Sequence, residues 1–322
     1  MSVDPQVWWV SLFHWATRAG SRAFSGRFGQ VPPTFREPDI HCVPGDEVTL
    51  SCLRWPVDSS AVPLVFLHGL NANAWIWARV ASVLSERRDA ISISLRGHGD
   101  SDAPAGGYSS ERMARDLIPV LDAFCPRGAV VAGHSWGGRV ACDLAAIDPD
   151  RVHALVLADP VPPRGLNPLL RTFPGLVNMA FAPERGPYSS FETMEAAGKS
   201  LVFLSRWDAL DRRFWHACFR EGPDRTFRHT LPESAFAEIL EAIRTGDATA
   251  TLDRVECPVL LVRPTYAVTQ FPGEDDPFHR DTTRLTTRRI SGDHSFIHSN
   301  ALDTAGMIEE FFVEKKLLTT IP

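Results

Sequence analysis

No uninterrupted run of about 18 apolar residues, the length that crosses a bilayer, occurs anywhere in the chain, so no membrane-spanning segment is expected. Nor is there a concentrated basic face. The 33 Lys and Arg are scattered and outnumbered by 39 Asp and Glu, for a formal charge of −6. That distribution argues against a nucleic-acid partner, whose phosphates call for clustered positive charge. The six cysteines, at 42, 52, 125, 142, 218 and 257, form no C-x-x-C pair and no metal-ligand spacing. They read as free thiols of a reducing compartment, so a cytoplasmic location is expected, and no bond is expected between Cys42 and Cys52. Internal repeats and low-complexity tracts are absent too. What remains is an ordinary globular composition, 44% hydrophobic over 322 residues, enough for a full core in one large α/β domain or two small ones.

The N-terminus is apolar but short. Val7-Trp8-Trp9-Val10-Ser11-Leu12-Phe13-His14-Trp15-Ala16 is followed, not preceded, by Arg18, Arg22 and Arg27, an order wrong for a signal peptide. Its aromatic residues recur at helical offsets, which predicts an amphipathic helix and linker over residues 1–35. Two readings of its broad aromatic face stay open: packing on this domain or on a twin subunit as a homodimer, or contact with a membrane surface.

The most informative stretch is Val130-Val131-Ala132-Gly133-His134-Ser135-Trp136-Gly137-Gly138. An apolar strand breaks into G-x-S-x-G and then a helix, a strand–turn–helix that holds a serine at a sharp corner. A serine hydroxyl is a weak nucleophile unless it is presented beside a base and beside donors that receive negative charge. Gly133 and Gly137 leave room where side chains would collide, and the following helix aims its free N–H groups at the reacting centre.

In chain order, residues 40–43 and 48–55 alternate like a hairpin around Pro44-Gly45-Asp46. Residues 62–67 form a continuous apolar run, as expected of a strand buried on both faces, ending in His68-Gly69-Leu70-Asn71. A helix over 75–86, a strand over 90–95 and a helix over 110–125 lead to the serine turn, and residues 152–157 form the next buried strand, stopping at Asp159. Strands separated by helical stretches imply a parallel sheet whose carboxyl-end loops gather the active site. The alternation then stops. Residues 160–253 begin proline-rich and continue in helical patterns such as Phe236, Ile239, Leu240 and Ile243, which predicts a helical cap inserted between 36–159 and 254–322. Strands at 258–263 and 285–290 and a closing helix over 296–316, with Ile308, Phe311 and Phe312 inward, complete the core.

The chain resembles the capped α/β-hydrolase family over nearly everything except the N-terminal helix. The carriers are His68-Gly69, Arg96-Gly97-His98-Gly99-Asp100-Ser101, Gly133-His134-Ser135-Trp136-Gly137-Gly138 and Gly292-Asp293-His294. The resemblance implies a mostly parallel central sheet flanked by helices, with Ser135 as nucleophile and His294 as base. It also implies an oxyanion hole made of the Leu70 and Trp136 backbone N–H groups. Members include esterases, lactonases, carbon–carbon hydrolases, perhydrolases, haloalkane dehalogenases and epoxide hydrolases; the last two use an aspartate nucleophile, against which Ser135 speaks. The acid departs from the family pattern. The loop after 258–263 reads Pro264-Thr265-Tyr266-Ala267-Val268, without a carboxylate. Asp159, at a position that some relatives use, is the first substitute, and Asp276 or Asp275 the second.

The reaction expected is acyl transfer to water with neither metal nor organic cofactor, on a small-molecule partner that is a bulky apolar ester or lactone walled by Trp75, Trp207 and Trp215. The same triad of Ser135, His294 and an acid suits carbon–carbon bond hydrolysis or a non-hydrolytic cyclisation, and the empty usual acid position leaves open a catalytically silent ligand-binding protein.

Overall fold

Residues 35–162, 185–204, 206–265 and 284–317 are described by a computed structural model. The N-terminal aromatic segment, Asp275, Asp276, Tyr266, Ala267 and Val268 lie outside those residues, as do Pro163, Pro168 and Pro174.

Eight strands form one sheet, in the spatial order 39–44, 49–55, 90–93, 64–67, 129–134, 152–158, 259–264 and 285–290. The first two, β1 (Asp39–Pro44) and β2 (Thr49–Trp55), make the expected antiparallel hairpin, and β2 also runs antiparallel to β4 (Ala90–Ile93). From β4 onward the neighbours are parallel: β3 (Leu64–Leu67), β5 (Ala129–His134), β6 (Val152–Ala158), β9 (Val259–Pro264) and β10 (Leu285–Ile290). In the hairpin His41 lies opposite Cys52 and Cys42 opposite Ser51. Because the pleat alternates faces, the two cysteines point to opposite sides of the sheet.

Both faces of the sheet are covered, which is why its central strands read as unbroken apolar runs. Val65, Leu67, Val131, Leu155 and Leu157 belong to one packed cluster, and Leu64, Phe66, Val130, Ala132 and Val156 to the other. Phe311 and Phe312 are fully buried in the second cluster, each contributing roughly 1.5–3 kcal/mol.

Two expected helices are broken. Residues 110–125 form α2 (Ser110–Asp116) and α3 (Ile118–Phe124) after α1 (Ala78–Leu84), because Pro119 has no N–H to donate and its ring crowds the carbonyl one turn back. The closing helix divides into a short turn of helix, Phe296–Ser299, and a long helix, Ala301–Lys315. Asn300 leaves helical geometry between them, and its side chain donates to the Ser291 carbonyl.

Between β6 and β9 the insertion supplies Phe191–Ser200, Ala209–His216, Glu233–Thr245 and Thr249–Leu252 as helices. It is not purely helical, contrary to expectation. A two-stranded ribbon, β7 (Phe219–Glu221) with β8 (Phe227–His229), interrupts it. Its turn is set by Arg225 at φ 61 and by the Asp224 carboxylate, which accepts from the Thr226 N–H at 3.1 Å. Strands of three residues are too short to show alternation in a sequence.

Candidate active site

The chemistry-bearing residues follow four strands: Leu70 after β3, Ser135 after β5, Asp159 after β6 and His294 after β10. Parallel strands deliver these loops to one edge of the sheet.

Ser135 sits at φ 52 and ψ −117, a conformation costing on the order of 1–3 kcal/mol in a non-glycine residue. The surroundings enforce it. Its N–H donates to the Ala158 carbonyl at 3.1 Å, and its carbonyl accepts from Gly138 and Val161 at 3.0 and 3.2 Å. A Cβ on Gly133 would lie 2.3 Å from the Gly137 carbonyl oxygen, and one on Gly137 would lie 2.5 Å from the oxygens of Leu67 and His68. The serine turn therefore packs backbone on backbone, which only glycine permits.

Ser135 precedes the helix α4 (Trp136–Ile147), whose first two N–H groups, of Trp136 and Gly137, have no intrahelical acceptor. The Trp136 indole is anchored away from them, its Nε1 donating to Met113 Sδ at 3.3 Å. On the other side, the loop 68–71 is pinned by His68. Its Nε2 accepts from the Leu95 N–H at 2.9 Å, so the ring proton is on Nδ1 and donates to the Gly69 carbonyl at 2.7 Å. Burial, then the neighbouring His98, hold the His68 pKa well below the ordinary histidine range.

Asp159 is fully buried, at φ 41, and its Oδ2 accepts from His294 Nδ1 at 2.6 Å. With Nδ1 so engaged, Nε2 is the ring nitrogen left for a proton transfer, and the His294 side chain is 31% exposed, open to a reactant. Burial works to lower the His294 pKa, but the hydrogen bond and charge of Asp159, with Asp293, outweigh it, and the net shift is upward. Arg263 Nη1, 3.9 Å from Asp159 Oδ1, lends the buried carboxylate a positive neighbour.

His134, inside the serine motif, reaches across to the histidine loop. Its Nε2 donates to the His294 carbonyl at 2.8 Å and its ring centroid lies 4.5 Å from that of His294, so it ties the serine turn to the histidine loop. Burial pushes its pKa down to about 3, and it stays neutral. His98 bonds the Arg96 carbonyl at 3.0 Å, while Arg96 grips Asp116 with two bonds of 2.6 and 2.8 Å; this loop is structural. His298 bonds Asp211 at 2.8 Å in a buried cluster with Arg79.

The three tryptophans expected to wall the pocket divide. Trp215 is 3% exposed, donates to the Met194 carbonyl at 2.8 Å and lies 4.8 Å from Phe219: it fills the insertion's own core. Trp75 and Trp207 are half-buried, with Arg213 5.2 Å over the first ring and Lys199 5.5 Å over the second. Asp275 and Asp276 lie outside the described residues, so the geometry bears on Asp159 alone. Among the described residues no three His, Cys, Asp or Glu side chains converge as metal ligands, and no helix is long and apolar enough to cross a membrane.

Residues 62–262 match the family model of the alpha/beta hydrolase fold, and the chain belongs to that family. An esterase of Mycobacterium tuberculosis is 41% identical over 114 residues, 35% of this chain and 37% of that protein. A soluble epoxide hydrolase of a Corynebacterium species is 36% identical over 110 residues, 34% and 38% of the two chains. The matched stretches thus span little more than a third of these curated relatives. Among solved structures, E-2-(acetamidomethylene)succinate hydrolase superposes with a TM-score of 0.72 at 22% identity, over 85% of this chain and 99% of that one. A thioesterase domain from the curacin biosynthetic pathway gives 0.69 at 16% identity, over 85% and 100%. At such identities these likenesses speak for the fold alone.

Proposed function

We propose that the chain is a serine hydrolase that cleaves a carboxylic ester or lactone of a bulky apolar substrate through an acyl-enzyme. The observation that carries this reading is the 2.6 Å bond from His294 Nδ1 to buried Asp159, beside a serine held at φ 52. His294 Nε2 takes the Ser135 proton as the oxygen attacks the carbonyl carbon, and the Leu70 and Trp136 N–H groups receive the oxyanion. Collapse of the tetrahedral intermediate breaks the carbon–oxygen bond, and His294 returns the proton to the leaving alcohol. Water, deprotonated by His294, then attacks the acyl carbon and releases the acid together with Ser135. Asp159 holds the imidazole in the tautomer this cycle needs and stabilises its cationic form. The esterase among the relatives supports the ester.

Steady-state hydrolysis of para-nitrophenyl esters and of lactones of increasing chain length tests it. Turnover that improves with apolar length and disappears in Ser135→Ala is expected; equal turnover in that variant would sink the proposal.

A further inference from the structure

The loop that carries Leu70 is held from above by the insertion. Arg185 is 4% exposed, and its Nη1 donates to Asn71 Oδ1 at 2.6 Å. The same guanidinium is fixed by the Leu231 carbonyl at 2.7 Å and by Glu233 at 3.1 Å, and it lies 4.1 Å over the Phe236 ring. His229 grips the other end of the residue. Because the Leu231 N–H donates to His229 Nδ1 at 3.1 Å, the neutral ring carries its proton on Nε2, which donates to the Asn71 carbonyl at 3.4 Å. Burial, reinforced by the Arg185 charge, pushes the His229 pKa down to about 3, so the ring stays neutral near neutral pH. Asn71 itself stands at φ 61, immediately after Leu70. The Ala72 N–H closes a local turn onto the Gly69 carbonyl at 3.3 Å, and Asn tolerates the left-handed region. To this local turn the insertion adds bonds from a distant part of the chain onto both the side chain and the carbonyl of the residue next to the Leu70 N–H.

We propose that Arg185 and His229 are positioning residues that hold Asn71, and through it the Leu70 N–H, in the geometry of an oxyanion hole, so that the hole is complete only while the insertion is seated. This rests on the acyl-transfer reading above. It makes the insertion part of the catalytic apparatus and not merely a cover. Neither residue touches the substrate in this scheme, so their loss falls on the transition state and spares ground-state binding.

The test is a cycle of Arg185→Met, Asn71→Gly and the double variant, with Arg185→Lys as the conservative change. Asn71→Gly keeps the backbone's access to φ 61 while deleting the oxygen that Arg185 holds, so it carries the test should Arg185→Met not fold. Each is assayed with an uncharged para-nitrophenyl ester and with a trifluoromethyl ketone, whose serine adduct bears the oxyanion. Since a misplaced donor loses part of what a deleted one loses, kcat is expected to fall about tenfold to a hundredfold. KM should stay within a factor of about three and the ketone inhibition constant should rise in step with the kcat loss. Arg185→Lys should recover part of kcat, and the double variant should be no slower than the slower single one. Unchanged kcat and ketone affinity in folded variants, or losses that multiply in the double variant, would overturn the positioning role. If the wild type itself neither hydrolyses the ester nor binds the ketone, it is the acyl-transfer reading that fails, and the positioning role goes with it.

Discussion

Asp159 and His294 follow strands β6 and β10, which are separated in the sheet by β9, yet Asp159 Oδ2 and His294 Nδ1 lie 2.6 Å apart. The carboxylate reaches under the histidine loop from a strand end whose residue is turned to φ 41. In the proposed mechanism this replaces the carboxylate missing from 264 and 265, where β9 ends.

Asp159→Asn keeps the shape of the side chain but removes the charge and presents an amide to the imidazole, favouring the wrong tautomer. The expected loss in kcat is on the order of 10³–10⁴-fold, with folding retained. Kinetics together with circular dichroism check it. A loss under tenfold would move the acid role to Asp275 or Asp276.

The upward shift of His294 fixes the direction of the pH dependence. The base must be neutral, so kcat/KM should fall as pH drops through a value above the ordinary 6.5. In Asp159→Asn the hydrogen bond and charge that raise it are gone, and the acid limb should move to lower pH. The same shift acts on stability with a defined sign. A folded-state pKa above the unfolded one contributes stability that is fully present below about 6.5 and is lost as pH rises through the folded value. Thermal midpoints across pH 5–9 for the two proteins should therefore converge at the alkaline end.

The turn glycines are a packing constraint. Gly133→Ala would set its Cβ 2.3 Å from the Gly137 carbonyl oxygen, a backbone atom with nowhere to go. A cost at or above the upper end of the usual overpacking range, about 3 kcal/mol, is expected, read as a lowered midpoint in urea.

Buried and exposed ion pairs should differ sharply. Arg79 and Asp211 are each 1% exposed and 2.7 Å apart, with His298 sharing the carboxylate. Asp211→Ala leaves Arg79 buried without that partner and should cost about 3–5 kcal/mol. Arg115 and Glu111, 51% and 64% exposed, form a surface pair one helical turn apart, and Glu111→Gln should cost no more than about 0.5 kcal/mol. Denaturant titration separates the two.

What was legible in the sequence was whatever depends on local pattern. The buried strands announced themselves by continuous apolar runs, and the serine turn by glycines that no other residue could replace. Asp159 was legible as a candidate because the loop after β9 lacked a carboxylate, but its 2.6 Å bond to His294 depends on how three strand ends splay, which no local pattern encodes. The roles of Arg185, His229 and His134 were illegible for the same reason: each acts on a residue distant in sequence. The ribbon at Phe219–His229 is illegible because three-residue strands carry no period, and the helix break at Leu117 because the apolar stripe runs on through Pro119 without interruption.

Whether Ser135 is an activated nucleophile is read by intact mass after treatment with a small fluorophosphonate. One covalent adduct is expected on the wild type, none on Ser135→Ala, and much slower labelling of Asp159→Asn. A folded wild type that stays unlabelled, or an adduct that persists in Ser135→Ala, would contradict an activated Ser135.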